Sequence, residues 1–363
     1  MLLLATLACT PPPRADDSAA PVDWAAPGPW SAGTAPFSLA VEGRDAPVPA
    51  RVWYPAARTE GDDSLEASLD ALVVDEVDGA TLAGLLAAAP PGCPTARTVV
   101  TTAPPAADIG AAPLVAFSHC HTCLGLSGAT IAAHLATHGV VVVAPDHEGN
   151  TLFDLLAGDG GSLDEETLAG RARDVSAAID MALAGDLETP PIDPSRVGVL
   201  GHSFGAVTAG RVLATDDRVK AAMAMGAPID NPLITGVDAA SVTEPVLLLL
   251  LEEDHSIGAA GNLLIEANHA ELGGPAWLAR LPDGGHWSVS DLCGVLEGFM
   301  PGCGQDTREE GGAEFSYVPA DDGRATAAAL AAAFFAATLE GDADAEAWLA
   351  APDTRAELLV EVR

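Results

Sequence analysis

The apolar positions of this chain gather into short runs separated by amphipathic stretches. Leu114–Phe117, Val140–Ala144, Val197–Leu200, Ala221–Met225 and Val246–Leu251 are each about the length of a buried strand. Between them, Ala129–Thr137 and Leu168–Ala184 repeat their apolar residues at helical spacing. Continuous apolar strands alternating with such helices predict an α/β fold: a mostly parallel twisted sheet with helices on both faces. Phe37–Tyr54 (FSLAVEGRDAPVPARVWY) alternates apolar and polar residues around a turn-rich centre, which predicts an N-terminal hairpin entering the sheet. Residues 56–112 are irregular apart from one short helical segment near Leu65–Leu86 and are expected as a small lid-like insertion. The Ala-rich stretch Ala325–Leu339, with Phe334 and Phe335, is expected as a last helix packed on one sheet face.

The N-terminus reads as an address. Met1–Ala8 (MLLLATLA) is apolar, small Ala8 precedes Cys9, and a Pro-rich acidic stretch runs to about Trp30. This pattern predicts a lipoprotein signal over 1–8, a lipidated Cys9, a flexible tether over 9–30, and one domain over 31–363. Such a protein is exported, and is held at the bacterial cell envelope through that lipid or secreted. With 49% hydrophobic and 19% charged residues the domain has ample core, which excludes global disorder. Sixteen Lys plus Arg stand against 52 Asp plus Glu, a formal charge of −36, and Lys220 is the only lysine. A surface that acidic repels phosphate backbones and excludes nucleic acid as a partner. No apolar run approaches the ~20 residues needed to span a bilayer.

Six cysteines occur, at 9, 93, 120, 123, 293 and 303. Lipidation of Cys9 leaves an odd five in an oxidising compartment, so at least one lacks a partner within the chain. Cys293 and Cys303 bracket nine Gly-rich residues (GVLEGFMPG) and are expected to pair, contributing roughly 2–3 kcal/mol by restricting the unfolded chain. His119-Cys120-His121-Thr122-Cys123 offers four potential metal ligands within five residues, too tightly packed to close a tetrahedron alone. A Cys120–Cys123 disulfide is favoured over a metal there, and no cofactor is expected. Cys93 is left open between standing free and pairing with Cys120 or Cys123.

The chemistry lies at strand ends. Val197–Leu200 runs into Gly201-His202-Ser203-Phe204-Gly205 and then a helix-compatible AVTAGRVLA. A strand–turn–helix this tight needs Gly201 and Gly205 because a Cβ there would collide with neighbouring strand or helix, and it holds Ser203 at a helix N-terminus as a nucleophile. Serine needs a base. In this arrangement the histidine comes last, which selects His286 in Leu281-Pro-Asp-Gly-Gly-His-Trp-Ser; His202 adjoins the serine and is expected to point away, and His269 sits on a helical segment. The oxyanion loop should follow Leu114–Phe117, over Ser118–Cys123 with Gly125 and Gly128 beyond.

PLVAFSHC, HGVVVVAPDHEGNT, DPSRVGVLGHSFG, VLLLLLEEDHS and GGHWSVSDLC, in that order, resemble the α/β-hydrolase group of predicted dienelactone hydrolases and platelet-activating-factor acetylhydrolases. The similarity runs from about Phe37 to Leu349. It implies an oxyanion hole from the backbone N–H groups of His121 and Phe204. Cys120 stands where the family usually has Gly, so it must accept that residue's backbone angles. Dienelactone hydrolases use a cysteine nucleophile; Ser203 replaces it here, so their lactone substrate does not carry over. The family motif places the triad acid at Asp254. Glu252, Glu253 and Asp254 bunch after Val246–Leu251, and a short Asp just past the strand fits the turn towards the histidine. Asp230 is the competing candidate, after the preceding strand, where some family members carry the acid; the matching position falls near Gly226, which has no carboxylate. The resemblance thus implies a serine ester hydrolase on short-acyl or bulky small-molecule or lipid-like esters. A phospholipase-type acetylhydrolase, a peptidase and a non-catalytic binding protein on the same fold are the alternatives.

Overall fold

The computed structural model describes residues 22–57, 66–93, 97–234 and 236–363. The expected signal at Met1–Ala8 and the lipidation site Cys9 lie outside the described residues. In chain order, β1 (Ser31–Leu39) and β2 (Val48–Ala56) form the antiparallel hairpin that the alternation at Phe37–Tyr54 predicted. The insertion contributes β3 (Glu66–Ser68), helix α1 (Glu76–Ala88), β4 (Arg97–Val99), which pairs with β3, and β5 (Thr101–Thr102). Then come β6 (Ala112–Ser118), α2 (Ala129–Thr137), β7 (Val141–Pro145), α3 (Leu152–Ala157), α4 (Glu165–Ala184), β8 (Ile192–His202) and α5 (Phe204–Thr215). β9 (Val219–Met225), β10 (Val246–Leu251), α6 (Gly258–Glu271) and β11 (Ala276–Leu281) complete the central units. A small hairpin of β12 (Gln305–Thr307) and β13 (Glu314–Ser316), then α7 (Ala320–Phe335), α8 (Ala343–Leu349) and β14 (Leu359–Val362) close the chain.

Ten strands make one sheet in the order β14-β11-β10-β9-β8-β6-β7-β2-β1-β5. The six from β7 to β11 in that row pair in parallel, while β2 on β7, β1 on β2 and β14 on β11 are antiparallel. Strands buried on both faces divide their side chains by pleat. Leu247, Leu249 and Leu251 of β10 join the core beneath α2 and α7, whereas Val246, Leu248 and Leu250 join the core beneath α4 and α5. α7 comes so close to β8 that a Cβ on Gly198 would sit 2.6 Å from the Phe335 ring. Burying Phe334 and Phe335 contributes about 1.5–3 kcal/mol each. Among the described residues no helix is long and apolar enough to cross a membrane.

Two expectations need correcting. The tether was expected to run unstructured to Trp30, but residues 22–30 fold back on α2. Trp24 is buried and stacks on His138, its carbonyl accepts a hydrogen bond from His134, and the Trp30 N–H donates to the Thr137 carbonyl. One large aromatic and the C-terminal turn of a helix suffice for this, without apolar periodicity. A strand also lies between Val246–Leu251 and His286: β11 pairs with β10 along its whole length.

Candidate active site

Ser203 stands between β8 and α5 with φ 57° and ψ −123°, a backbone conformation an L-residue adopts only under constraint. The constraint is steric and local. A Cβ on Gly201 would lie 1.9 Å from the Gly205 carbonyl oxygen, and one on Gly205 would lie 1.9 Å from the Ser118 carbonyl oxygen of β6. Both glycines are therefore required, one by the helix and one by the adjacent strand. The turn is further pinned by the Ser203 N–H, which donates to the Met225 carbonyl at 2.8 Å. Ser203 is the one residue of 197–210 that is not buried.

His286 arrives on the loop after β11, and its Nε2 lies 2.8 Å from Ser203 Oγ. Its Nδ1 lies 2.7 Å from Asp254 Oδ2. Asp254, just past β10, is 2% exposed, and its Oδ1 accepts from the backbone N–H groups of Ser256 and Ile257 at 3.0 and 3.1 Å. Both carboxylate oxygens are thus committed, one to the loop and one to the imidazole. Asp230 is engaged elsewhere: its carboxylate accepts from the Ala239 N–H, and its backbone exchanges two bonds with Asn268. Gly226 explains how two strands can compete for the acid. A Cβ there would sit 3.5 Å from His286 Nδ1 and 3.6 Å from Asp254 Oδ2, so both acid positions converge on one nitrogen.

His202, expected to point away from the site, stands with its ring centroid 4.9 Å from that of His286 and has a task. Its Nε2–H donates to the His286 backbone carbonyl at 2.8 Å, tying the base's loop to the elbow. Burial pushes its pKa down to about 3, so the ring is neutral. The signal available in the sequence was adjacency to the nucleophile alone.

Of the two expected oxyanion donors, His121 lies on the loop after β6 and Phe204 at the start of α5, after β8. The Phe204 N–H opens α5 and has no intrahelical partner, and the His121 N–H bonds to no other described residue. Cys120 does not take the left-handed angles that the usual glycine would suggest; Thr122 does, with φ 55°, and a Cys120–Cys123 disulfide closes the turn. The metal-like cluster is spoken for by these bonds: His119 Nδ1 donates to the Cys120 carbonyl, and His121 Nδ1 meets Asn150. Beneath the loop lies a buried polar network that sequence reasoning did not find. Arg171 of α4 donates to Ser118 Oγ, the His119 carbonyl, Thr208 Oγ1 and Asn150 Oδ1, and its guanidinium lies 4.8 Å from the Phe204 ring centroid. His147 Nδ1 donates to Asp174 and its Nε2 accepts from Ser118 Oγ, each at 2.9 Å, while Arg44 holds Asp174 by two bonds. Fully buried, Ser118, His147 and Asp174 reproduce a triad's spacing with no route for substrate, and serve to fix the end of β6.

The expected Cys293–Cys303 pair is not formed. Cys303 bonds to Cys93, 210 residues away, and Cys293 is a buried free thiol whose pKa burial raises to about 12. The insertion brings Cys93 over the loop after His286, where a Cβ on Gly294 would lie 2.5 Å from Cys93 Cβ. Loop closure favours the near partner Cys293, but the fold carries the distant Cys93 to Cys303 instead. All three sulfurs nevertheless lie within 4.8 Å of one another.

Comparison with known proteins agrees with the fold. The dienelactone hydrolase family matches residues 120–286, from the oxyanion loop to the histidine facing Ser203. A ferulic acid esterase from Streptomyces cinnamoneus has the same fold, with a TM-score of 0.64 and 23% sequence identity over 89% of this chain and 94% of that one. No curated protein matches the chain in sequence.

Proposed function

We propose that this chain, which has an α/β-hydrolase fold and matches the dienelactone hydrolase family over residues 120–286, works as a serine esterase through an acyl-enzyme. The observation that carries this reading is the continuous line Asp254–His286–Ser203, with contacts of 2.7 and 2.8 Å. Ser203 Oγ attacks the ester carbonyl carbon as His286 Nε2 takes its proton. The carbonyl oxygen becomes an oxyanion, held by the N–H groups of His121 and Phe204. Collapse breaks the bond to the alcohol, which leaves with the proton from His286. Water then attacks the acyl-serine, again giving its proton to His286, and the acid departs as Ser203 is restored. Asp254 keeps the proton of the neutral ring on Nδ1 and stabilises the imidazolium.

The substrate is a short-acyl or bulky ester. Between β9 and β10 lie only residues 226–245, whose described residues hold one short 3₁₀ turn at Ala239–Ser241 and no helical cap over the site. α3 instead abuts the oxyanion loop, where the Leu152 N–H donates to the Cys123 carbonyl. The similar ferulic acid esterase makes aromatic acyl esters a natural member of the test set. A p-nitrophenyl ester series decides the matter: acetyl and butyryl should turn over faster than dodecanoyl, and Ser203→Ala should abolish all three. A preference for dodecanoyl removes the open-site reading, and glycerophospholipid turnover exceeding all of them assigns the acetylhydrolase-type alternative. Export and a lipid anchor on Cys9 belong to the same proposal, because two cystines suit an oxidising compartment. A Cys9→Ser chain that partitions with membranes as the parent does would remove the anchor.

A further inference from the structure

We infer that the His121 side chain is a substrate-binding residue, a neutral Nε2–H donor that recognises a second oxygen of the ester close to the scissile carbonyl. The inference rests on the serine-esterase reading and adds to it a substrate class: esters carrying a hydrogen-bond-accepting oxygen in the acyl or the alcohol part.

The first step is the tautomer. Asn150 has its Oδ1 on Arg171 Nη1, and a guanidinium only donates, so the amide oxygen must be the atom there. Its Nδ2 lies 2.9 Å from the Gly160 carbonyl, which only accepts, so the amide nitrogen is fixed independently by a second partner. That same Nδ2 lies 2.7 Å from His121 Nδ1. Nδ1 must therefore accept, and the ring's proton is on Nε2. Burial, with the charge of Arg171, pushes the His121 pKa below its ordinary value, which keeps the ring neutral. Arg171 is itself anchored on Ser118 and Thr208, so the orientation is set from the core outward.

The second step is direction. Across residues 112–129 His121 alone is not buried, just as Ser203 alone is not buried across 197–210. These segments continue adjacent parallel strands, paired Ser118 with Gly201, so the two open side chains emerge at the same carboxyl ends. The His121 ring packs at 75° to the ring of Phe204, the residue next to the nucleophile, with centroids 6.2 Å apart. Among the described residues Nε2 has no partner, and it is not one of the buried unsatisfied atoms. A donor oriented from below by a buried arginine and an amide, with its other edge open beside the nucleophile, is a preorganised recognition group.

Two isosteric ester pairs test this. On the acyl side, p-nitrophenyl methoxyacetate is compared with the butyrate; on the alcohol side, 2-methoxyphenyl acetate is compared with 2-ethylphenyl acetate. The ratio of kcat/KM for the oxygen-bearing ester over its partner should fall about tenfold from wild type to His121→Leu in one pair, the worth of one neutral hydrogen bond. The pair that responds identifies the side. His121→Gln, which places an amide N–H near the Nε2 position, should recover part of the ratio. Because each ratio is taken on one preparation, loss of folded enzyme cancels. Should His121→Leu not fold, ¹⁵N-histidine spectra of the wild type still decide: His121 must appear as the neutral Nε2–H tautomer at pH 7. Equal ratios in wild type and His121→Leu for both pairs, or an Nδ1–H or doubly protonated ring, overturn the inference. A wild type that hydrolyses no ester at all overturns the esterase reading instead.

Discussion

Asp254→Asn is the substitution whose effect the geometry determines most closely. The Oδ1 position accepts two backbone N–H groups, from Ser256 and Ile257, so the asparagine must place its carbonyl oxygen there. Its NH₂ group then faces His286 Nδ1 at the 2.7 Å now spanned by Oδ2. An NH₂ group only donates, so Nδ1 becomes an acceptor and the imidazole proton moves to Nε2, the atom that must take the proton of Ser203. The fold is undisturbed and the base is blocked. Serine-protease triads lose up to ~10⁴ in kcat on the same change, equivalent to about 5.5 kcal/mol of barrier, and that loss is expected here with KM little altered. The assay is p-nitrophenyl acetate turnover, with thermal unfolding to establish an intact fold. A well-folded Asp254→Asn enzyme within about tenfold of wild-type kcat refutes the reasoning, and loss of activity in Asp230→Asn instead transfers the acid to the earlier strand.

Three more expectations follow from the same geometry. Adding Gly226→Asp to Asp254→Ala should restore measurable turnover, since a Cβ at 226 already points within 3.5 Å of His286 Nδ1; no gain over Asp254→Ala contradicts the shared acid position. His202 titrates at about 3 when folded and near 6.5 when unfolded, so as pH falls from ~6.5 the unfolded chain binds the proton first and stability drains at about 1.4 kcal/mol per pH unit. His202→Gln keeps a donor to the His286 carbonyl and lacks that titration, so denaturant melts between pH 6 and 4 should show a shallower loss; equal slopes contradict it. In Cys93→Ser, Cys293 and Cys303 should pair with each other, because their sulfurs already lie within 4.8 Å, and the shorter loop should leave the protein about 2–3 kcal/mol less stable. Non-reducing peptide maps that find both thiols free reject this.

What the sequence disclosed was whatever depends on neighbours along the chain. The elbow was legible because strand, glycine, serine, glycine and helix are consecutive, and the collisions that demand Gly201 and Gly205 involve the turn itself and the adjoining strand. The hairpin and the five apolar strands were legible by their period. β11 was not, because Ala276–Leu281 (AWLARL) is interrupted by Arg280, whose guanidinium reaches out to Glu266 and Glu361 on the rim. The folded N-terminal residues 22–30 depend on one tryptophan meeting a histidine more than a hundred residues away. The Cys93–Cys303 link and the Arg171–Asn150–His121 chain likewise join distant segments, and no local pattern encodes them.

The central claim is that Ser203 is a nucleophile activated by His286. Intact-mass analysis after treatment with a fluorophosphonate tests it most directly, because that reagent captures only a serine able to attack. The account predicts one adduct per wild-type chain, mapped to Ser203, with none on Ser203→Ala and strongly slowed labelling of His286→Ala. A folded wild-type protein that takes up no reagent would contradict the account and leave a binding protein built on a hydrolase fold.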